Sequence, residues 1–182
     1  MPQLIWTGDV EGNFNYYNLA LYEYSGLIYK ELKKDGWLKI VHQYDREGNI
    51  TKWKHAVLTG EGFNLEHRFK RPDGQYRWQL SRAIAQIDEL GQIQRWVGTS
   101  TDIHEIKKNE QQKDFFISMA SHELKIPVNS IKGYVQILMS MYKDEDVNLI
   151  NNSLKIINKQ IITLTALITD LPDPSKIKSG SL

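Results

Sequence analysis

The chain has 182 residues, 41% of them hydrophobic, and a net charge of +1, enough apolar material for one or two domains and no basis for a nucleic-acid or acidic-substrate surface. There is no cysteine, which excludes disulfides, thiolate metal sites and cysteinyl-flavin photochemistry and suits a reducing compartment. Residues 1–6 carry no signal-peptide pattern and no apolar run approaches the roughly 18 residues of a membrane span, so a cytoplasmic protein is expected, with no span in this chain.

Residues 4–103 read as mixed strand and helix. Trp6-Thr7-Gly8-Asp9 leads into a turn at 10–13, after which Phe14 and Tyr16 alternate with Asn13 and Asn15 as on a strand. Asn18 is suited to cap a short helix through Tyr24, with Gly26 just past its end, and a second helical piece surrounds residues 31–35. Asp45 is placed to cap a longer helix that runs toward Thr59 and ends at Gly60. Three strands follow. In the first, Phe63, Leu65, His67 and Phe69 alternate with polar residues. The Arg71-Pro72-Asp73-Gly74 turn leads to a second, where Tyr76, Trp78 and Leu80 share a face. A turn at 88–91 precedes the third, over about 93–102. This order predicts an α+β fold built on an antiparallel sheet with short helices.

The stretch Phe-Lys-Arg-Pro-Asp-Gly-Gln-Tyr-Arg-Trp (69–78), the stretch Trp-Val-Gly-Thr-Ser-Thr-Asp-Ile (96–103) and, more weakly, residues 37–42 resemble a PAS sensor domain covering 1–103. Two positions depart from that family: Gln43 where a proline is common, and His104 where Asp102-Ile103 is often followed by threonine. Domains of that family bind haem, flavin, small acids or nothing, so the resemblance leaves the PAS ligand unknown. His42, His55 and His67 are haem ligands only in principle. A loop, a helix and a strand position account for them more simply. Gly60-Glu61-Gly62 lacks the third glycine of a phosphate cradle.

Residues 104–116 form a charged, helix-favouring linker with Ile103, Ile106, Glu110, Lys113 and Ile117 at heptad spacing, either a weak coiled coil or a solvated helix. Over 117–138, Ile117, Ser121, Leu124, Val128, Ile131, Val135 and Leu138 fall on one stripe. His122 lies roughly 140° from its middle by helix geometry, facing outward. Phe115, Met119 and Ile126 share its face, with Asn129 two turns on, and this apolar collar suits a docking surface. After a polar loop at 143–146, Val147, Ile150, Leu154, Ile157, Ile161, Leu164, Ile168 and Leu171 keep a strict three-four alternation. Pro172 and Pro174 then break the helix, leaving a tail over 173–182. A hairpin of two such helices, over 117–172, buries only part of each stripe, and two copies in a four-helix bundle bury the rest, so a homodimer is expected.

Residues 116–127, with Ser121-His122-Glu123-Leu124-Lys125-Ile126-Pro127 at their centre, continuing into 131–134, resemble the H-box of the sensor histidine kinases and their dimerisation and histidine-phosphotransfer (HisKA) domain. The resemblance implies that His122 accepts phosphate from ATP and passes it to the receiver domain of a response regulator. It implies that Glu123 fixes the imidazole tautomer, and that Phe115, Met119, Ile126 and Asn129 help dock partners. No cofactor is implied within this chain. ATP and Mg²⁺ belong to a separate ATP-binding catalytic domain, for which the 11 residues after Leu171 leave no room, so the chain is not active alone. In many such kinases the residue four after the histidine is a threonine or asparagine that orients a hydrolytic water; Ile126 has no polar atom for that task. Two other readings stay open: a PAS ligand-binding and dimerisation module without phosphotransfer, and a phosphorelay intermediate that naturally lacks a kinase domain.

Overall fold

The computed structural model describes residues 3–32, 34–140 and 147–170. The chain divides into two compact units, Met1–Asn109 and Glu110–Leu182. The expected polar loop at 143–146, Leu171, and the helix break and tail beyond it lie outside the described residues.

The first unit is built on a five-stranded antiparallel sheet of β1 (Leu4–Gly8), β2 (Phe14–Tyr17), β3 (Phe63–Lys70), β4 (Tyr76–Ile87) and β5 (Ile93–Asp102), in the order β2-β1-β5-β4-β3. Helices α1 (Leu19–Ser25), α2 (Tyr29–Leu32) and α3 (Arg46–Thr59) lie between β2 and β3 in sequence. The end signals behave as their chemistry requires. The Asn18 side chain accepts from Leu21 N, and Gly26 and Gly60 close α1 and α3 in the left-handed conformation at φ 68° and 76°.

Two local expectations are corrected. Asp45 precedes α3 but makes no side-chain cap. Its carboxylate is taken by Arg68, whose Nη2 and Nε lie 2.6 and 2.9 Å away and whose backbone N–H also donates to it. A two-pronged charged partner outcompetes a single backbone amide. Phe14 and Tyr16 also do not share a face. The β1–β2 register slips between Thr7 and Gly8, leaving Asn15 as an extra residue, so Tyr17 is buried while Tyr16 is exposed. Such a bulge reverses the alternation beyond it.

The core is aromatic. Trp6, Trp53, Phe63, Phe69 and the fully buried Trp96 pack between the sheet and helices, with Phe14 stacked on Trp53 at 5.4 Å and Trp96 edge-on to it at 5.2 Å. Gly98 faces Trp6 across β1–β5, and a Cβ there would overlap the indole, so the close strand packing depends on glycine. Two gaps among these rings measure about 30 Å³ each.

Helix α4 (His104–Ser140) runs for 37 residues and passes through Pro127; α5 spans Val147–Asp170. Within the second unit, the less exposed positions of α4 are Phe116, Ala120, Leu124, Pro127, Ser130, Ile131, Gly133, Tyr134 and Leu138. On α5 they are Ile150, Ser153, Ile156, Ile157, Gln160, Leu164 and Leu167. These are the facing stripes of a helical hairpin. The intervening apolar positions, Ile117, Val128 and Val135 on α4 and Val147, Leu154, Ile161 and Ile168 on α5, are exposed in the single chain. Each heptad stripe is therefore split, with about half turned into the hairpin and half left uncovered.

Candidate phosphoacceptor site

His122 sits at the middle of α4, with Leu124 on the packed stripe beside it. Its side chain is 74% exposed, and that of Glu123 is 55% exposed. The Glu123 Oε1 lies 3.6 Å from His122 Nδ1. That is a charge contact just beyond hydrogen-bond length, reached even though adjacent helix residues do not face each other.

Pro127 is buried within α4 and has no N–H, so the Glu123 carbonyl loses its helical partner one residue from His122. Phe115, Met119, Ile126 and Asn129, the expected collar, are all exposed. Phe115 and Met119 precede His122 by about two turns and one, and Ile126 and Asn129 follow it by about one and two. The surface is therefore an accessible imidazole with one carboxylate beside it and with the exposed apolar side chains of Phe115, Met119 and Ile126 within two turns.

Residues 14–100 match the family model of the PAS fold, and residues 112–180 match that of the His Kinase A (phospho-acceptor) domain. The chain joins a PAS domain to a HisKA domain. The peroxide stress-activated histidine kinase mak1 of Schizosaccharomyces pombe is 26% identical across 100% of this chain, which spans 12% of that relative. The cell-division control histidine kinase PdhS of Brucella anthropi is 31% identical over 51% of the chain, which covers 9% of its length. Among solved structures, the N-terminal domain of a diguanylate cyclase with PAS/PAC sensor from Marinobacter aquaeolei matches 58% of this chain and 99% of its own, at TM-score 0.52 and 18% identity. That likeness is one of fold. The chain is thus homologous to histidine kinases while spanning a small part of their length.

Sequence reasoning missed the polar chain inside the PAS core. His67 is buried on β3, with Asn49 of α3 on its Nδ1 and Ser81 Oγ 2.7 Å from its Nε2. Ser81 continues to Ser100 at 2.5 Å, and the Trp6 indole donates to Ser100 at 3.4 Å. An amide N–H donating to Nδ1 requires a neutral ring protonated on Nε2, and burial pushes His67 down to about 4. Both ring nitrogens are engaged, so His67 has none free for a metal. His42 accepts from Tyr44 N through Nδ1, and the exposed His55 pairs with Glu61 at 3.2 Å. The only signal available in the sequence was the parity of His67 with Phe63, Leu65 and Phe69.

The end of the PAS domain is also resolved by side chains. Asp102 Oδ1 accepts from His104 N at 2.9 Å, opening α4 without a threonine. Among the described residues no helix is long and apolar enough to cross a membrane.

Proposed function

We propose that His122 is the phosphoacceptor of a two-component sensor kinase, receiving the γ-phosphoryl group of ATP and passing it to an aspartate of a response regulator. The observation that carries this reading is the exposed His122 with Glu123 at its Nδ1, inside the segment matched as a phospho-acceptor domain. Nε2 attacks phosphorus in line with the leaving oxygen, so an N–P bond forms as the bond to the β-phosphate oxygen breaks and ADP departs. Glu123 faces the Nδ1–H of the imidazolium that develops and stabilises its charge. In the return step the regulator carboxylate takes the phosphoryl group and the ring becomes neutral again.

ATP and Mg²⁺ come from a separate catalytic domain, and the collar of Phe115, Met119 and Ile126, with Asn129, gives that domain and the receiver domain a surface to dock on. Two copies pair through the uncovered halves of the heptad stripes, completing a four-helix bundle, and the reaction is cytoplasmic because ATP is its donor.

The test is to mix the chain with an isolated histidine kinase catalytic domain and Mg-ATP. Base-stable, acid-labile phosphate should appear on the chain, vanish in His122→Ala and form more slowly in Glu123→Gln, whose helicity should be unchanged. Label that persists in His122→Ala overturns the assignment.

A further inference from the structure

Two gaps among the aromatic rings of the PAS core are each only about the size of a water molecule. A larger cleft lies elsewhere in that domain. It measures about 350 Å³ and opens between α1, the β3–β4 turn and the ends of β4 and β5. That is at the lower end of the range for small-molecule sites.

Its floor is an unusual place for polarity. Gln79 is 0% exposed, and its Nε2 donates to the Tyr24 hydroxyl at 3.2 Å. Its Oε1 has no hydrogen-bond partner among the described residues. A buried acceptor left unmet costs about 1–3 kcal/mol, so it marks a position where a donor from outside is favoured. Gln79 faces Asp102 directly across β4–β5, which puts their side chains next to each other on the same face. Asp102 accepts from Arg77 on both oxygens and from His104 N on Oδ1, which leaves one of its roughly four lone-pair sites, on Oδ2, for a further donor.

The charge balance points the same way. Glu23, Asp73 and Asp102 line the cleft against one guanidinium, that of Arg71. Arg71 and Asp73 are 3.8 Å apart, Asp102 is held by Arg77, and Glu23 has no ion pair among the described residues. Leu4 and Ala20 supply apolar wall. A ligand that suits these groups carries positive charge, several N–H donors at one end and a short hydrocarbon body.

We infer that this cleft binds a small primary ammonium compound whose N–H groups donate to Gln79 Oε1 and the Asp102 carboxylate. Glu23 at the rim supplies the net negative charge that draws it in. Asp102 also caps α4, so occupancy acts on the first turn of the helix that leaves the PAS domain. The site stands on the PAS domain alone, and its test does not involve phosphotransfer.

The experiment titrates the whole chain, ¹⁵N-labelled, with n-butylammonium chloride at constant ionic strength. Tetramethylammonium chloride, sodium acetate and ethylene glycol are titrated in parallel. Butylammonium should give saturable shifts of the Gln79 side-chain amide and of the Tyr24 and His104 backbone amides, and should slow hydrogen exchange over 104–107. The other three compounds should not. Gln79→Leu should weaken binding about tenfold. Glu23→Gln, a change at an exposed position that leaves the core intact, should weaken it about threefold. The inference is overturned if butylammonium does not saturate, if its shifts lie away from Gln79, or if neither variant changes the affinity. It is equally overturned if tetramethylammonium matches it, since charge alone then suffices, or if ethylene glycol does, since the cleft then takes neutral polyols.

Discussion

Arg77 grips Asp102 across the β4–β5 ladder, with Nε 2.7 Å and Nη2 3.3 Å from the two carboxylate oxygens. The same guanidinium reaches Glu105 in the first turn of α4 at 3.4 Å, while Asp102 accepts from His104 N. One ion pair thus fastens the last strand of the PAS domain to the start of the long helix. The Asp102 side chain is only 12% exposed, so removing its partner leaves a largely buried charge. Arg77→Met, which keeps the aliphatic stem, should cost about 1–3 kcal/mol in denaturant unfolding and speed amide exchange over 104–107. Arg82→Met, on the exposed face of the same strand, should do neither.

His67 gives the fold a defined acid response. Its folded-state value is about 4 against 6.5 for the free side chain, because burial disfavours the charged ring. Below 6.5 the unfolded chain therefore binds a proton that the folded chain does not. Stability is insensitive to this group above 6.5 and falls as pH drops from 6.5 toward 4, by about 3 kcal/mol over the window. His67→Gln should flatten that slope in urea melts taken across the same range. Asp45, held below its usual 3.8 chiefly by the Arg68 hydrogen bond, also loses stability with acid, but only as pH falls through 3.8 and below. The two contributions separate by pH.

These groups show what the sequence made legible and what it did not. The succession of strands and helices along the chain, both ends of α1, the glycine end of α3 and the outward face of His122 followed from local chemistry: alternation, an Asn cap, glycines past helix ends and a heptad stripe. The Asn15 bulge did not, because an extra strand residue leaves no mark on composition. Asp45 misled for a related reason. A cap signal is local, whereas its partner Arg68 is 23 residues away. The inward face of β4 was hardest. Tyr76, Trp78 and Leu80 share a face as expected, yet Gln79, Ser81 and Ala83 are the buried ones. These two polar residues meet partners on other elements, Tyr24 of α1 for Gln79 and His67 and Ser100 on neighbouring strands for Ser81, which no alternation pattern announces.

The split heptads yield a paired prediction. Ile150 and Leu164 are turned into the hairpin, while Leu154 and Ile161 are exposed in the single chain. Leu154→Glu with Ile161→Glu should abolish the dimer proposed above, read by light scattering, while helicity is largely kept. Ile150→Glu with Leu164→Glu buries charge inside each hairpin and should unfold the second unit, at a cost of several kcal/mol. A Leu154/Ile161 double variant that remains dimeric would remove the bundle.

Ile126 bears on what becomes of phosphate after transfer. It is exposed, one turn beyond His122 and about 40° from it around the helix. A side chain there can reach the same incoming regulator. Threonine would offer a hydroxyl to orient the water that attacks a phosphoaspartate. Isoleucine offers only surface, extending the collar of Phe115 and Met119. On the phosphotransfer reading, the natural chain should transfer phosphate readily and hydrolyse the regulator's phosphoaspartate slowly. A hydrogen bond made to the attacking water is worth about 1.4 kcal/mol or more, so Ile126→Thr should raise phosphatase activity about tenfold. The assay supplies phosphorylated regulator to both forms and follows its loss, with His122→Ala included to remove back-transfer. Equal rates for the isoleucine and threonine forms would show that water positioning at this turn plays no part.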